Sequence, residues 1–197
     1  MNILVIKSSV FGDNGNSSTL VNEQVARLKA QHPDATVVVR DLSAEPIPHL
    51  DGERVGAFFT PEDQRSDDQQ AVEDFSQTLI AELKAADQVV LGLPMYNFGI
   101  PSQLKSWIDH VARAGITFRY TENGPEGLLD DKPVTVVAAR GGLYAGTEND
   151  TVTPYIKLFF GFIGITDVSF VFAEGLNMGD EAKEKALNEA REALQAG

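Results

Sequence analysis

Three short stretches hold residue types that could bind and orient a reactive ligand. The first, Met95-Tyr96-Asn97-Phe98-Gly99, lies between Pro94 and Pro101. Tyr96 and Phe98 offer flat apolar faces, while Asn97 and the main chain offer polar contacts, a set suited to a conjugated ring with hydrogen-bonding edges. The second, Ser8–Ser18, is rich in glycine and hydroxyls and runs into a helix. There Ser9, Gly12, Gly15, Asn16 and Ser17 supply small residues and donors. Backbone N–H groups and the positive end of a helix dipole can hold a phosphate at such a place without a lysine. The third, Ala139-Arg140-Gly141-Gly142, has paired glycines that let backbone amides approach a ligand closely. Arg140 reads two ways, as a positive charge where negative charge gathers on reduction or as a solvated strand end. Each stretch alone also has a plain reading: aromatics plugging a core, a capped turn, the end of a strand. Taken together, a phosphate cradle facing two polar-aromatic walls suits a mononucleotide with a flat head.

The elements that must position these stretches follow from hydrophobic periodicity. Ile3–Ile6, Thr36–Val39, Val89–Leu93, Val134–Ala139 and Val168–Phe172 read as strands, and Ile3–Ile6 and Val89–Leu93 have the apolar pattern of buried ones. Helical spacing separates them. Leu20, Val21, Val25 and Leu28 share one side of a helix whose N-cap is Asn16, Ser17 or Ser18. Val72, Phe75, Leu79 and Leu83 mark a second helix. Leu104, Trp107, Ile108 and Val111 mark a third, opened by Pro101. Thr153-Pro154 caps a fourth that runs to Gly164, and Asp180 opens a last one faced with alanine and leucine. This alternation implies an α/β three-layer sandwich, a parallel sheet covered on both faces, in one domain over residues 1–197. Two excursions interrupt it: residues 42–70, rich in Pro, Gly, Asp and Ser, and residues 113–131, read as a hairpin around Asn123-Gly124. All three candidate stretches then follow carboxyl ends of strands, where open α/β sheets bind ligands.

Composition narrows the chemistry. With no cysteine, thiolate nucleophiles, disulfides and zinc–sulfur sites are excluded. A net charge of −13 repels phosphate backbones and anionic lipid, so neither nucleic acid nor membrane is expected as a partner. The amino terminus lacks a signal-peptide pattern, which points to a cytoplasmic protein. Gly12 and Gly15 are spaced G-x-x-G, so neither a Walker A loop nor the dinucleotide fingerprint is present. His32, His49 and His110 share no metal-ligand spacing, and the carboxylates are scattered. No metal, acid or base is nominated; the bound ligand would carry the chemistry. Tyr155–Ile163 is apolar almost all round, which requires burial on every side and implies a homodimer.

At this level of detail the chain resembles the FMN-dependent NADH-azoreductases of the flavodoxin-like superfamily, related to the NAD(P)H:quinone reductases. The resemblance rests on K-S-S after the first strand, R-D-L after the second, P-M-Y-N-F, V-A-R-A-G-I-T-F-R-Y-T-E-N-G-P-E-G-L, R-G-G and F-F-G-F-I-G-I-T-D-V-S-F-V-F-A-E-G. It implies a flavodoxin-like strand order of 2-1-3-4-5 and FMN held tightly without a covalent bond. The phosphate would lie against Ser9, Gly15, Asn16 and Ser17, and the ring against Met95, Tyr96, Asn97, Phe98, Ala139, Arg140, Gly141 and Gly142. NADH or NADPH would donate hydride, and quinones or azo compounds would accept it in a double-displacement scheme. Phe162, Tyr120, Phe59 and Tyr144 would line the substrate pocket, partly from the partner subunit. The chain departs from the pattern at Gly15 and Ala139, where serine is frequent. The rival reading is a one-electron flavodoxin-like carrier, which needs neither a dimer helix nor long excursions.

Overall fold

A computed structural model describes residues 1–196. Five parallel strands, β1 (Asn2–Lys7), β2 (Thr36–Asp41), β3 (Gln88–Pro94), β6 (Val134–Ala139) and β7 (Val168–Ala173), form one sheet in the order β2-β1-β3-β6-β7. A separate antiparallel hairpin joins β4 (Phe118–Thr121) to β5 (Gly124–Gly127). Leaving the hairpin out of the count, this is the expected 2-1-3-4-5 order.

Alternation along the strands sorts side chains into two cores. Leu4, Ile6, Val89, Leu91, Leu93, Val134 and Val136 face α3 (Asp67–Ala85), α4 (Ser102–Val111) and α5 (Val152–Ile163). On the opposite side Ile3, Val5, Val90, Val137 and Ala139 face α1 (Asn16–Gln31) and α6 (Asp180–Ala196). Each fully buried leucine, isoleucine or valine contributes roughly 1.5–3 kcal/mol. The larger core is closed by Trp107, whose ring meets Phe159 edge-on at 5.9 Å.

Three expectations about local structure need correction. The N-cap of α1 is Gly15, not Asn16, Ser17 or Ser18. A Cβ at Gly15 would lie 2.1 Å from Ser9 Oγ, so the hydroxyl of Ser9 occupies the space a side chain there would need. Residues 42–70 are also more than a connection. They contain α2 (Gly52–Phe59), capped by Asp51, whose side chain accepts from the Arg54 amide at 2.9 Å. Packing holds this short helix: the Arg113 guanidinium stacks 3.6 Å over the Phe58 ring and pairs with buried Glu73 at 2.7 Å. Burial pushes the Glu73 carboxyl up, but hydrogen bonds from Gln77 and Arg113 outweigh it and hold it below the usual range. Finally, the N-cap of α5 is Thr151, with Pro154 inside the first turn.

The hairpin tip is Glu122-Asn123, with Gly124 at a φ of +109°. Its far strand docks on the end of α5 with nothing between the backbones. A Cβ at Gly127 would lie 2.0 Å from the Gly164 nitrogen. Gly127→Ala should therefore force the hairpin off α5 and cost about 1–3 kcal/mol in a urea titration.

At the amino-terminal edge of the sheet, Asp131 accepts from the amides of Lys132, Thr166 and Asp167 and from the Thr166 hydroxyl at 2.7–3.1 Å. Those bonds, led by the Thr166 hydroxyl, hold its carboxyl down to about 2. A depressed carboxyl stabilises the fold above its unfolded value of roughly 3.9 and loses that contribution as pH falls through the folded value. Acid unfolding should steepen between about pH 4 and pH 2, and Asp131→Asn should flatten that part of the stability–pH curve.

Candidate functional site

The parallel register carries the three candidate stretches to one end of the sheet. Pro94 pairs with Ala139 and Ala139 with Ala173, so the loops after β3, β6 and β7 leave side by side. Together with the loop after β1 they form a crevice of about 160 Å³. Ser9, Gly15, Asn16, Ser17, Met95, Tyr96, Ala139, Arg140 and Gly141 line it. Phe11, Leu176 and Asn177 line it too and were not among the expected residues. The last two follow β7, and the strand-end rule applied to that strand would have found them.

One side of the crevice is rich in donors. An α-helix leaves its first N–H groups without intrahelical acceptors, and α1 has no side-chain cap and no acidic residue in its first turn. The hydroxyls of Ser17 and Ser18 are buried with no hydrogen-bond partner. Ser9 Oγ lies 3.2 Å from Tyr96 Oη and accepts from the Phe11 amide, which ties the first loop to the second. Lys7 is taken up by Asp13 at 2.7 Å, so this end relies on helix dipole and neutral donors.

Facing it are Pro94, Met95 and Tyr96, and Tyr96 opens the turn Tyr96-Asn97-Phe98-Gly99, of which Phe98 and Gly99 line a neighbouring apolar cavity instead. Tyr96 and Gly99 exchange backbone hydrogen bonds of 3.0 and 2.9 Å, and Asn97 and Phe98 have φ of +50° and +60°. This is the geometry of a type I′ turn, which requires positive φ at both central positions. Asparagine tolerates that region; phenylalanine does so only under strain. The Phe98 carbonyl accepts from the Thr151 hydroxyl, and its half-exposed ring meets Tyr144 edge-on at 5.6 Å.

The third wall is Ala139–Gly141, with Gly142 next along the chain but outside the lining. A Cβ at Gly141 would lie 2.6 Å from Asn177 Nδ2, and one at Gly142 would enter the Tyr144 ring at 2.8 Å, so only glycine lets these neighbours close in. Arg140 fits neither expectation for its side chain. It is 1% exposed, which rules out a solvated strand end, and its guanidinium pairs with Asp150 at 2.9 Å and Glu174 at 3.1 Å. Its charge is already more than matched by those two carboxylates.

The remaining expected residues lie apart from the crevice within one chain. Phe59 and Tyr120 are 79% and 75% exposed. Phe162 packs on Phe118 at 4.2 Å, and Phe118 touches Tyr120, making an aromatic cluster on the hairpin and α5. A mostly apolar cavity of about 510 Å³ lies beyond Phe98, lined by residues including His49, Ile100, Lys105, Val152 and Tyr155. It is larger than the crevice. His110 is buried between Phe58 and Phe75 and donates from Nδ1 to the Ser106 carbonyl at 2.9 Å. Burial pushes its pKa down, and it serves packing. Among the described residues no group of three or more His, Asp or Glu could hold a metal ion, and no helix is long and apolar enough to cross a membrane.

This geometry can be set beside proteins already known. A family model described as a flavodoxin-like fold matches residues 1–197. A protein named FMN-dependent NADH:quinone oxidoreductase from Alcanivorax borkumensis is 80% identical over 196 residues, covering 100% of this chain and 99% of that protein. An azoreductase from Bacillus anthracis superposes with a TM-score of 0.89 at 28% identity, covering 100% of this chain and 98% of the other. A Bacillus anthracis FMN-dependent NADH-azoreductase in complex with FMN gives a TM-score of 0.88 at 28% identity, covering 99% and 98%. Sequence and fold agree, and the chain belongs to the flavodoxin-like family of FMN-dependent NADH:quinone oxidoreductases.

Proposed function

We propose that the crevice binds FMN and that the protein is an FMN-dependent NADH:quinone oxidoreductase that also reduces azo compounds. One observation carries this reading: a helix N-terminus with unpartnered buried hydroxyls faces two flat strand-end walls across a single crevice. The donor set fits the cofactor. Amides of Asn16, Ser17 and Ser18, with the Ser17 hydroxyl, would hold a phosphate dianion, and Ser9 would stand where the serine frequent at position 15 would reach. Met95-Tyr96-Asn97-Phe98 and Ala139–Gly142 would hold the ring, the latter through backbone groups, since the Arg140 side chain is committed elsewhere. Bound FMN supplies two-electron transfer from NADH to a quinone or azo acceptor. The protein's part is to orient the ring and to exclude water with Phe98 and Tyr144. With one open ring face, donor and acceptor must take turns. The net charge of −13 and the cysteine-free composition support a cytoplasmic enzyme without a nucleic-acid partner.

We propose in addition that the protein is a homodimer and that Phe59, Tyr120 and Phe162 complete the substrate pocket of the partner subunit. The support is an uncovered apolar face. Leu158 on α5 is 73% exposed, beside half-buried Tyr155 and Phe162 and the projecting Tyr120. Such a cluster marks an interface on a soluble protein.

The purified protein should carry, or take up on soaking with FMN, an absorbance band near roughly 450 nm. NADH should remove that band, a quinone should restore it, and double-reciprocal plots should be parallel. A protein still colourless after soaking overturns the assignment; intersecting plots overturn the shared ring face. Leu158→Glu should convert the dimer to monomer in light scattering and lower turnover far more than FMN affinity. A wild-type chain that is monomeric at every concentration overturns the dimer.

A further inference from the structure

We propose that Glu174 is a positioning residue that fixes the outer end of the third wall, Tyr144 and Ala145, through one carboxylate oxygen, with Arg140 as its counter-ion. The inference rests on the FMN reading and deepens it. Ala139 and Ala173 are paired at the ends of β6 and β7, and the ladder continues one step further, from the Arg140 amide to the Ala173 carbonyl at 2.9 Å. Arg140 and Glu174 therefore leave the sheet as neighbours.

Glu174 Oε1 accepts three hydrogen bonds: from Arg140 Nη1 at 3.1 Å, the Tyr144 amide at 2.9 Å and the Ala145 amide at 2.8 Å. Backbone bonds from the Gly175, Leu176 and Asn177 amides tie Gly142, Arg140 and Gly141 to the chain after β7 at 3.0–3.1 Å, and the Glu174 oxygen extends that attachment to Tyr144 and Ala145. The resulting curl brings the Tyr144 ring over Gly142 and against Phe98. The guanidinium is fixed from the far side by Asp150 Oδ1 at 2.9 Å and Thr153 Oγ1 at 2.7 Å, and it lies 5.0 Å over the Phe172 ring. Its Nε is buried without a partner, so both terminal nitrogens hold the group in place. One guanidinium between two carboxylates has a net charge of −1. The unit therefore works by shape, holding amides and a ring in position rather than lending positive charge to the cofactor.

The test measures the FMN dissociation constant by fluorescence and the visible circular dichroism of bound FMN. Glu174→Ala should weaken FMN roughly 10- to 100-fold, the loss expected for charge-assisted hydrogen bonds, and should alter the dichroism. Glu174→Gln keeps a carbonyl for the Tyr144 and Ala145 amides and should stay within about threefold of wild type. Asp131→Ala, at the opposite edge of the sheet, should lower stability and leave FMN affinity unchanged. A Glu174→Ala protein that binds FMN as wild type does overturns the inference, as does a Glu174→Gln protein as weak as the alanine variant. Amide exchange needs no variant: the Tyr144 and Ala145 amides should be protected in the wild-type chain, and fast exchange at both overturns the inference. Failure of the wild type to bind FMN would sink the FMN reading instead and is read separately.

Discussion

Three hydrogen bonds just beyond the strand ends hold the functional end of this protein together. The Leu42 amide donates to the Lys7 carbonyl, the Met95 amide to Ala139 and the Arg140 amide to Ala173, at 2.9, 3.0 and 2.9 Å. Each extends the parallel ladder by one step into a loop. The loops therefore begin in the register of the sheet instead of floating above it. Because side chains alternate with period two, a slip of one residue would exchange the two cores, so the hydrophobic pattern of the strands also fixes where the crevice walls stand. Positional accuracy at the site derives from burial elsewhere in the molecule.

Charge is handled in the same indirect way. Two cations at the strand ends, Lys7 and Arg140, are both neutralised within the chain, by Asp13 and by Asp150 with Glu174. On a chain of net charge −13 an anionic ligand would then be drawn in by the dipole and free amides of α1, not by a formal charge. Helix donors are fixed in direction by the backbone, whereas a lysine would carry several rotatable bonds to the same place. Orientation is gained at the expense of long-range attraction, which suits a resident cofactor better than a passing substrate.

The strands, the two cores and the convergence of three loops were legible because each depends on local pattern: apolar runs, helical spacing, glycine at a close approach. What escaped depends on partners distant in the chain. α2 lies in a stretch whose Pro, Gly and Asp content reads as loop, and it is clamped through Phe58 by Arg113, more than fifty residues away along the chain. Arg140 reads as a strand end until Glu174 arrives from the next strand. Gly15 caps α1 in place of the better capping residues beside it because Ser9 has already taken the space. Leu176 and Asn177 were within reach, since they obey the rule that located the other loops.

Phe98 departs furthest from what its local sequence favours. At the second centre of a type I′ turn glycine would sit without strain, whereas an L-residue with a side chain costs about 1–2 kcal/mol in the left-handed region. Nothing in the core requires the exception, for the ring is half exposed. What holds it is the loop opposite: the Thr151 hydroxyl donates to its carbonyl, and Tyr144 meets its ring edge-on. Tyr144 is in turn placed by the curl that Glu174 maintains, and Thr151 stands beside Asp150, which grips Arg140. The strained turn and the buried ion cluster are thus two ends of one device. Backbone strain persists in a native fold only when its surroundings over-determine it, and here the surroundings are the residues that shape the facing wall. A glycine at position 98 would relax the turn and remove the ring that the rest of the assembly is arranged to hold.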